Sequence, residues 1–239
     1  MKLTSFVCIG NTNGKHRKLV LPEGDVLIHT GGYTTCHVPS NILSKHVAQS
    51  LQPEEPDDII DWMKEQPFKE KLMVPAFRDI VNNIEIDTYI SKFKKAGINV
   101  GMLECLTISG LGIGCYNYWY RKVVSTATSV PISPLEVNAR KYDFLTEIGA
   151  PYGLDILITN ALSVPDSLSY VTNNLSKDDP SHREVFFNLV PTICLFSGSE
   201  TGKTLPVKVL DTTCYNTSVW HNGKQVPEIV HFYVADGVK

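Results

Sequence analysis

Short apolar runs recur along the chain, and turn residues or stretches with apolar residues at helical spacing separate them. This alternation restricts the possible folds more than any other feature of the sequence. Eight runs have the length and the Val, Ile, Leu, Thr and Tyr content of β-strands. They cover residues 5–9, 25–29, 71–74, 103–109, 154–159, 192–196, 205–210 and 228–234. None reaches the roughly 18–20 residues of a membrane helix, so we expect no membrane association.

Three stretches between these runs indicate helices. Residues 56–66 begin with acidic side chains, which suit a helix N-terminus. Residues 80–96 carry apolar side chains at roughly helical spacing before Gly97, and residues 135–148 are a weaker candidate before Gly149. Strands that alternate with helices in this way predict an α/β fold.

The end of the chain has a different pattern. The last two runs flank Asn222-Gly223, a dipeptide typical of tight hairpins, which favours antiparallel strands there. No internal repeat and no linker divides the sequence, and its 239 residues suffice for one core. We therefore expect a single domain over residues 1–239.

Charge and cysteine content narrow the function classes. The 22 Lys and Arg against 25 Asp and Glu give a net charge of −3 with no basic stripe, which argues against a nucleic-acid partner. The N-terminus lacks the pattern of a signal peptide. The six cysteines form no Cys-x-x-Cys pair, so we predict free, buried thiols in a reducing cytoplasm. Glycosylation sequons at Asn174 and Asn216 are then chance matches.

Five of the predicted strands end in clusters of small polar residues. These are residues 9–13 (IGNTN), 29–32 (HTGG), 74–79 (VPAFRD), 158–161 (ITNA) and 196–200 (FSGSE). Sites in α/β sheets form at the carboxyl ends of strands, so the five clusters would converge on one cleft. The alternative is ordinary turn chemistry, since Gly, Asn and Ser also serve loops.

Familiar cofactor motifs fail on spacing. Residues 198–204 (GSETGKT) have three residues between their glycines where a phosphate loop needs four. Residues 110–114 (GLGIG) begin like a dinucleotide fingerprint but lack its final glycine. No Gly-x-Ser-x-Gly elbow occurs, and the seven histidines lack metal-binding spacing. We therefore expect no cofactor.

The polar strand ends also carry a resemblance to a known family. The stretches are residues 6–16 (FVCIGNTNGKH), 24–34 (GDVLIHTGGYT), 75–79 (PAFRD), 155–162 (DILITNAL) and 196–200 (FSGSE). In order and spacing the sequence resembles the small branch of the calcineurin-like metallophosphoesterases, and its framework looks most like fungal members. The resemblance extends over roughly residues 4–235. It implies a β-sandwich of two mixed sheets flanked by helices.

The departures from that family fall on its metal ligands. Family members hold two metal ions through Asp, Asn and His side chains at the strand ends. The matching positions here hold Asn11, Asn13, Gly32, Phe77, Arg78, Asn160, Gly198 and Glu200. Neutral amides are poor substitutes for carboxylate and imidazole, and a guanidinium does not ligate. The resemblance thus implies a retained scaffold without a dinuclear metal site, and no phosphatase activity.

The replacing residues suggest other chemistry. Arg78 would clamp a carboxylate or an enolate oxygen, and Asn13 and Asn160 would polarise a carbonyl. The alternatives are an Arg78 that is paired to neighbouring Asp79 or solvated, and asparagines that serve turns.

Three further residues are candidates for proton transfer. Tyr33 and His37 follow the second strand, and Glu200 would act as a general base if burial raised its pKa. The alternative for Glu200 is an ordinary loop acid. Of the other histidines, we predict that His29 is buried and structural and that His16 is solvated at the rim.

An aromatic segment completes the candidate site. Residues 115–121 (CYNYWYR) would wall an apolar pocket or pack in the core. The predicted ligand-contacting set is Asn11, Gly32, Phe77, Asp79, His37, Tyr116, Tyr118, Trp119 and Tyr120.

Two functions of different class follow. The first is a metal-independent enzyme that acts on a hydrophobic small molecule by cyclisation, isomerisation, elimination or condensation, by analogy in secondary metabolism. The second is a non-catalytic pseudo-phosphatase that binds a ligand or a protein partner. An exposed apolar patch would favour the second, and a closed pocket with convergent polar groups the first.

Overall fold

Two mixed β-sheets and two main helices make up the part of the chain described by the computed structural model. It describes residues 2–34, 56–76, 79, 86–116, 154–159, 191–196, 206–209, 211–221, 224–225 and 228–234. The first sheet has the order β13-β1-β2-β3-β4. Its strands are β1 Lys2–Ile9, β2 Val26–His29, β3 Glu70–Met73, β4 Asn99–Val100 and β13 Glu228–Val234. Only β13 is antiparallel to its neighbour.

The second sheet has the order β5-β6-β7-β8-β10-β9. Its strands are β5 Leu103–Ile108, β6 Leu111–Tyr116, β7 Ile156–Thr159, β8 Ile193–Phe196, β9 Val207–Val209 and β10 Thr212–Asn216. The β5–β6 and β9–β10 pairs are antiparallel, and the central pairs are parallel. A two-stranded sheet joins β11 Trp220–His221 to β12 Lys224–Gln225.

The two large sheets share one apolar core. Phe6, Cys8 and Ile28 contribute to it from the first sheet, and Ile113 and Leu195 from the second. Alternate residues of β1 therefore face opposite layers, because side chains along a strand point to opposite faces in turn. Burial on both faces explains why these strands read as continuous apolar runs.

The helices cover the other face of the first sheet. Helix α1, Asp57–Glu65, and helix α2, Ile86–Lys95, pack their apolar sides on a second core with β1, β2 and β3. A 3-10 turn, His16–Lys18, follows β1. Helix α2 ends as expected at Gly97, where the N–H groups of Gly97 and Ile98 donate to the carbonyls of Lys94 and Phe93.

The expected α/β class and the two mixed sheets are confirmed. All eight predicted strands are present, and the last runs are antiparallel to their neighbours as expected. Strands β4, β6, β10, β11 and β12 were not predicted; the glycines of β6 looked like a failed nucleotide motif. The helix predicted over residues 135–148 and the first part of that over 80–96 lie outside the described residues. Within the described part of the chain, no helix is long and apolar enough to cross a bilayer.

Candidate functional site

Backbone hydrogen bonds bring the carboxyl ends of β1, β2 and β10 to one edge of the sandwich. The N–H of Asn11 donates to the carbonyl of Gly31 at 2.8 Å, and the N–H of Asn13 donates to the carbonyl of Gly32 at 3.0 Å. The N–H of Val219 donates to the carbonyl of Gly10 at 3.1 Å. We call residues 10–14, 30–34, 74–76, 79 and 216–219 the polar edge. Three of the five predicted clusters thus meet there, in their described parts, while residues 160–161 and 197–200 lie outside the described residues.

The asparagines of the polar edge have a backbone conformation that few residues adopt. Asn11 has a φ of 51° and Asn13 a φ of 48°, in the left-handed region where Asn is enriched among non-glycine residues. The Asn11 side-chain amide donates to the hydroxyl of Ser218 at 2.9 Å. The loop after β1 is thereby joined to the segment after β10, and Asn suits both its backbone and its side-chain contact.

A buried carboxylate joins the loops after β2 and β3. Oδ2 of Asp79 accepts hydrogen bonds from the N–H groups of Gly32 (2.6 Å) and Ala76 (2.9 Å). Oδ1 accepts from the N–H of Tyr33 (3.2 Å) and from the N–H and hydroxyl of Thr34 (3.3 and 3.2 Å). The residue is fully buried. Both oxygens are occupied by donors, so Asp79 acts as an internal anchor; that it contacts a ligand stays a prediction.

Two adjacent glycines make this anchor possible. Gly31 and Gly32 have φ values of 87° and 76°, a region that side-chain-bearing residues rarely adopt. A Cβ on Gly31 would lie 2.2 Å from the backbone nitrogen of Ala76. The close approach of the two loops therefore requires glycine at position 31, and it brings the donors of residues 32–34 onto the Asp79 carboxylate.

His29 is a buried structural histidine, as predicted. Its Nδ1 accepts from the N–H of Gly31 at 3.0 Å, and its Nε2 lies 3.2 Å from the hydroxyl of Thr12. Since Nδ1 accepts, the neutral ring carries its proton on Nε2 and donates it to Thr12. Both ring nitrogens are used inside the fold, so His29 orients the loop after β2.

The prediction that His16 is solvated is wrong. The residue is 3% exposed, and its ring lies 5.4 Å from that of Trp62 on α1. Its Nε2 is 2.8 Å from Oδ2 of Asp58. Arg17 donates to the other oxygen of Asp58 at 2.6 Å, and this bond, followed by that of His16, lowers the pKa of the Asp58 carboxyl. Packing of α1 over the turn after β1 buries the ring.

Sequence reasoning missed residues 216–219. Asn216 is only 3% exposed, and its side-chain oxygen accepts the N–H of Ser218 at 3.0 Å, a turn that the Asn-x-Ser spacing permits. The hydroxyl of Thr217 donates to the carbonyl of Phe196 at 3.0 Å, and it lies 2.6 Å from the hydroxyl of Thr30. The apparent sequon is a buried turn that links β8, β10 and the loop after β2.

Tyr33 lies in the interior. Only 3% of it is exposed, and its ring stands edge-on to that of His29 at 6.4 Å. Burial first, and then the neighbouring Tyr33 and Asp79, raise the pKa of the Tyr89 hydroxyl well above its ordinary value. A proton-transfer role for Tyr33 stays a prediction.

The remaining predicted site residues cannot be placed. Tyr116 ends β6, where it pairs with Thr159, but its side chain is outside the described part. The others outside the described residues are His37, Phe77, Arg78, Tyr118, Trp119, Tyr120, Asn160, Gly198 and Glu200.

The described residues of the polar edge do not fit a dinuclear metal centre. No three His, Cys, Asp or Glu side chains among the described residues lie close enough to hold a metal ion. Gly32 has no side chain, so it supplies no carboxylate at the position where the resembled family has one, and its N–H binds Asp79.

Comparisons with known proteins support the fold. No family model matches the chain. A phosphopantetheinyl hydrolase from Mycobacterium tuberculosis superposes with a TM-score of 0.52 at 9% sequence identity, over 91% of this chain and 89% of that one. A second solved structure gives a TM-score of 0.50 at 11% identity, over 97% and 100%. At this identity the likeness shows the fold alone.

Proposed function

We propose that this chain is a metallophosphoesterase-like protein whose metal site has been replaced, and that it is a metal-independent enzyme acting on a hydrophobic small molecule. The observation that carries the proposal is the Asp79 carboxylate, which accepts five hydrogen bonds from described residues of the loops after β2 and β3. These loops supply metal ligands in the resembled family. Here their donors are committed to an internal anion.

The rest of the polar edge supports this view. Asn11 and Asn13 keep hydrogen-bonding side chains on a loop whose backbone is held by Gly31 and Gly32. Fixed dipoles of this kind stabilise a developing negative charge on a carbonyl or enolate oxygen without metal. With Arg78 as an anion clamp and Tyr33 or Glu200 as a proton carrier, the reaction class is a cyclisation, isomerisation, elimination or condensation.

The cellular setting belongs to the same proposal. Five cysteines, all in the described part of the chain, are free thiols, and four of them are buried. Free thiols suit a reducing cytoplasm. We assign the protein there, without nucleic-acid or membrane partners.

Metal content and phosphodiester hydrolysis test the first half of the proposal. The purified chain is incubated with manganese and zinc, desalted and analysed by elemental mass spectrometry, and then assayed with an activated phosphodiester. We expect metal far below one ion per chain and no hydrolysis above a metal-only blank. One or two tightly held ions with turnover would refute the replaced-site proposal.

Ligand binding tests the second half. Hydrophobic compounds that carry a carbonyl or carboxylate are screened by thermal shift, and hits are tested for conversion by mass spectrometry. We expect Arg78→Ala to abolish the shift. Arg17→Ala is the matched control, because Arg17 is a half-exposed arginine bound to Asp58 and Glu65. Equal losses in both variants would contradict a binding role for Arg78.

A non-catalytic binding protein is the second candidate, and one observation favours it. The described polar groups of the edge largely satisfy one another: His29 bonds Thr12, Thr30 contacts Thr217, and Asp79 is enclosed. Side chains engaged in this way hold loops in place. A ligand that binds without any change in its mass, and whose binding survives Arg78→Ala, would support this candidate over the enzyme.

A further inference from the structure

A pair of cysteines lies side by side in the second sheet, away from the polar edge side chains. Cys214 of β10 is directly opposite Cys194 of β8 in the parallel register. Ile193 and Leu195, on either side of Cys194, lie in the core between the sheets, and Tyr215, beside Cys214, packs against it, so both thiols point to the other face. Exposure is 0% for Cys194 and 1% for Cys214. Directly opposite positions on neighbouring strands are ~4.8 Å apart, within the roughly 4.4–6.8 Å between α-carbons that a disulfide spans.

We propose that Cys194 and Cys214 form a reversible dithiol–disulfide site, oxidised by low-molecular-weight disulfides. The thiolate of Cys214 attacks one sulfur of the small disulfide and releases one small thiolate. The thiolate of Cys194 then attacks the sulfur of Cys214 and releases the second. The protein loses two protons and two electrons, and the small disulfide takes them up to become two thiols, so atoms and electrons balance.

The two thiols differ in a way that suits these roles. Cys214 lies next to the short edge strand β9, where it pairs with Val207, whereas Cys194 lies on the more central β8, beside Leu157. Opening of the edge strand therefore reaches Cys214 first. The neighbouring Cys194 thiol lowers the pKa of Cys214, whereas the proximity of Cys214 and burial raise the pKa of Cys194. Cys214 is the attacking thiol and Cys194 the resolving one.

The site is coupled to the polar edge through the strands that carry it. Phe196, two residues after Cys194, accepts the N–H and hydroxyl of Thr217, three residues after Cys214, at 2.9 and 3.0 Å. A covalent bond between the strands would restrain this contact. Oxidation would therefore slow the opening of the segment after β10 without altering any side chain of the polar edge.

The test uses the full chain in buffers of oxidised and reduced glutathione, with intact mass and peptide mapping. Wild type and the control Cys105→Ser are expected to lose two hydrogen atoms through a single bond between residues 194 and 214. In Cys194→Ala, Cys214 is expected to accumulate a mixed disulfide instead. Cys105 is the matched control because it lies half-buried on the far strand β5.

Two results would overturn the proposal. One is a peptide map of the oxidised wild type that shows a disulfide between other cysteines, or that shows residues 194 and 214 still as thiols in fully oxidising buffer. The other is Cys194→Ala and Cys214→Ala accumulating mixed disulfide equally. The wild-type map stands even if a variant fails to fold, and a higher unfolding midpoint for the oxidised chain than for the reduced one would be an independent sign of the bond.

Discussion

Replacement of Asp79 by Asn removes the charge of the buried anchor while its shape is kept. The carboxylate faces donors on both sides, and the amide must turn its NH2 group toward one of them. If the amide oxygen takes the place of Oδ1, it keeps the donors of Tyr33 and Thr34. The NH2 group then faces the N–H groups of Gly32 and Ala76, which lose their acceptor.

The cost follows from those two donors. A buried donor without an acceptor costs about 1–3 kcal/mol, so the Asp79→Asn variant should lose roughly 2–6 kcal/mol of unfolding free energy. The reverse orientation of the amide is worse, because Oδ1 receives three donors. A loss of this size is a large fraction of the stability of an ordinary domain.

Guanidinium unfolding followed by circular dichroism measures this difference. The matched control is Asp155→Asn, since Oδ2 of Asp155 accepts one N–H, from Gly112 at 2.8 Å, and an amide oxygen preserves that bond. The control should lose less than about 1 kcal/mol. If Asp79→Asn loses no more unfolding free energy than Asp155→Asn, the view of Asp79 as a charged anchor is refuted.

Three further perturbations address separate parts of the site. Gly31→Ala should lose more than about 3 kcal/mol of unfolding free energy or fail to fold, as judged by circular dichroism. The reason is that its Cβ would lie 2.2 Å from the backbone nitrogen of Ala76 in a left-handed conformation. A folded, equally stable variant would contradict the close approach of the two loops. Thr217→Val should lose about 1–2 kcal/mol in denaturant, and no loss would show that the hydroxyl contacts are dispensable. The pKa of Asp58 is lowered by Arg17, so its stabilisation is present above the ordinary pKa of 3.8 and is lost as the pH falls through the lower folded pKa. In urea titrations at several pH values, Asp58→Asn should therefore be less stable than wild type at pH 7. The difference should be under about 1 kcal/mol, because the pair is exposed, and it should vanish in acid. A difference that stays constant with pH would contradict a pKa of Asp58 lowered by Arg17.

The strands were predictable where both of their faces are buried. Strand β2 is buried at all four positions and reads as an apolar run. Strand β6 was hidden because glycines replace the side chains that would mark it; at Gly114 the side chain of Leu154 fills the space next to the backbone, where a Cβ would lie 2.5 Å from its methyl group. Strand β10 was hidden because it contains polar residues whose side chains form hydrogen bonds inside the fold. The hydroxyl of Thr212, for example, donates to the carbonyl of Pro191 at 2.6 Å.

The candidate site was predictable in position and less so in its contacts. The strand-end pattern located Asn11, Asn13 and Gly32 correctly at one edge. The anchoring role of Asp79 was not foreseen, because four of the five hydrogen bonds that it accepts from described residues come from backbone N–H groups, which no side-chain pattern reveals. His16 was misplaced for a related reason, since its partner Asp58 is remote in sequence and comes near only when α1 packs.

Position 32 of this chain disfavours a carboxylate. Gly32 has a φ of 76°, and its N–H already binds the Asp79 carboxylate, so Gly32→Asp adds left-handed strain of about 1–2 kcal/mol and a second negative charge beside a buried one. Gly32→Asn is the matched control, with the same strain and shape but no charge. We expect Gly32→Asp to unfold at lower denaturant than Gly32→Asn, and elemental analysis to show no manganese in either. A Gly32→Asp variant that is the more stable of the two and retains manganese would refute the view that the Asp79 carboxylate disfavours a second negative charge at this position. The expected order instead means that a carboxylate at position 32 is disfavoured beside the enclosed carboxylate of Asp79, which accepts the N–H of Gly32.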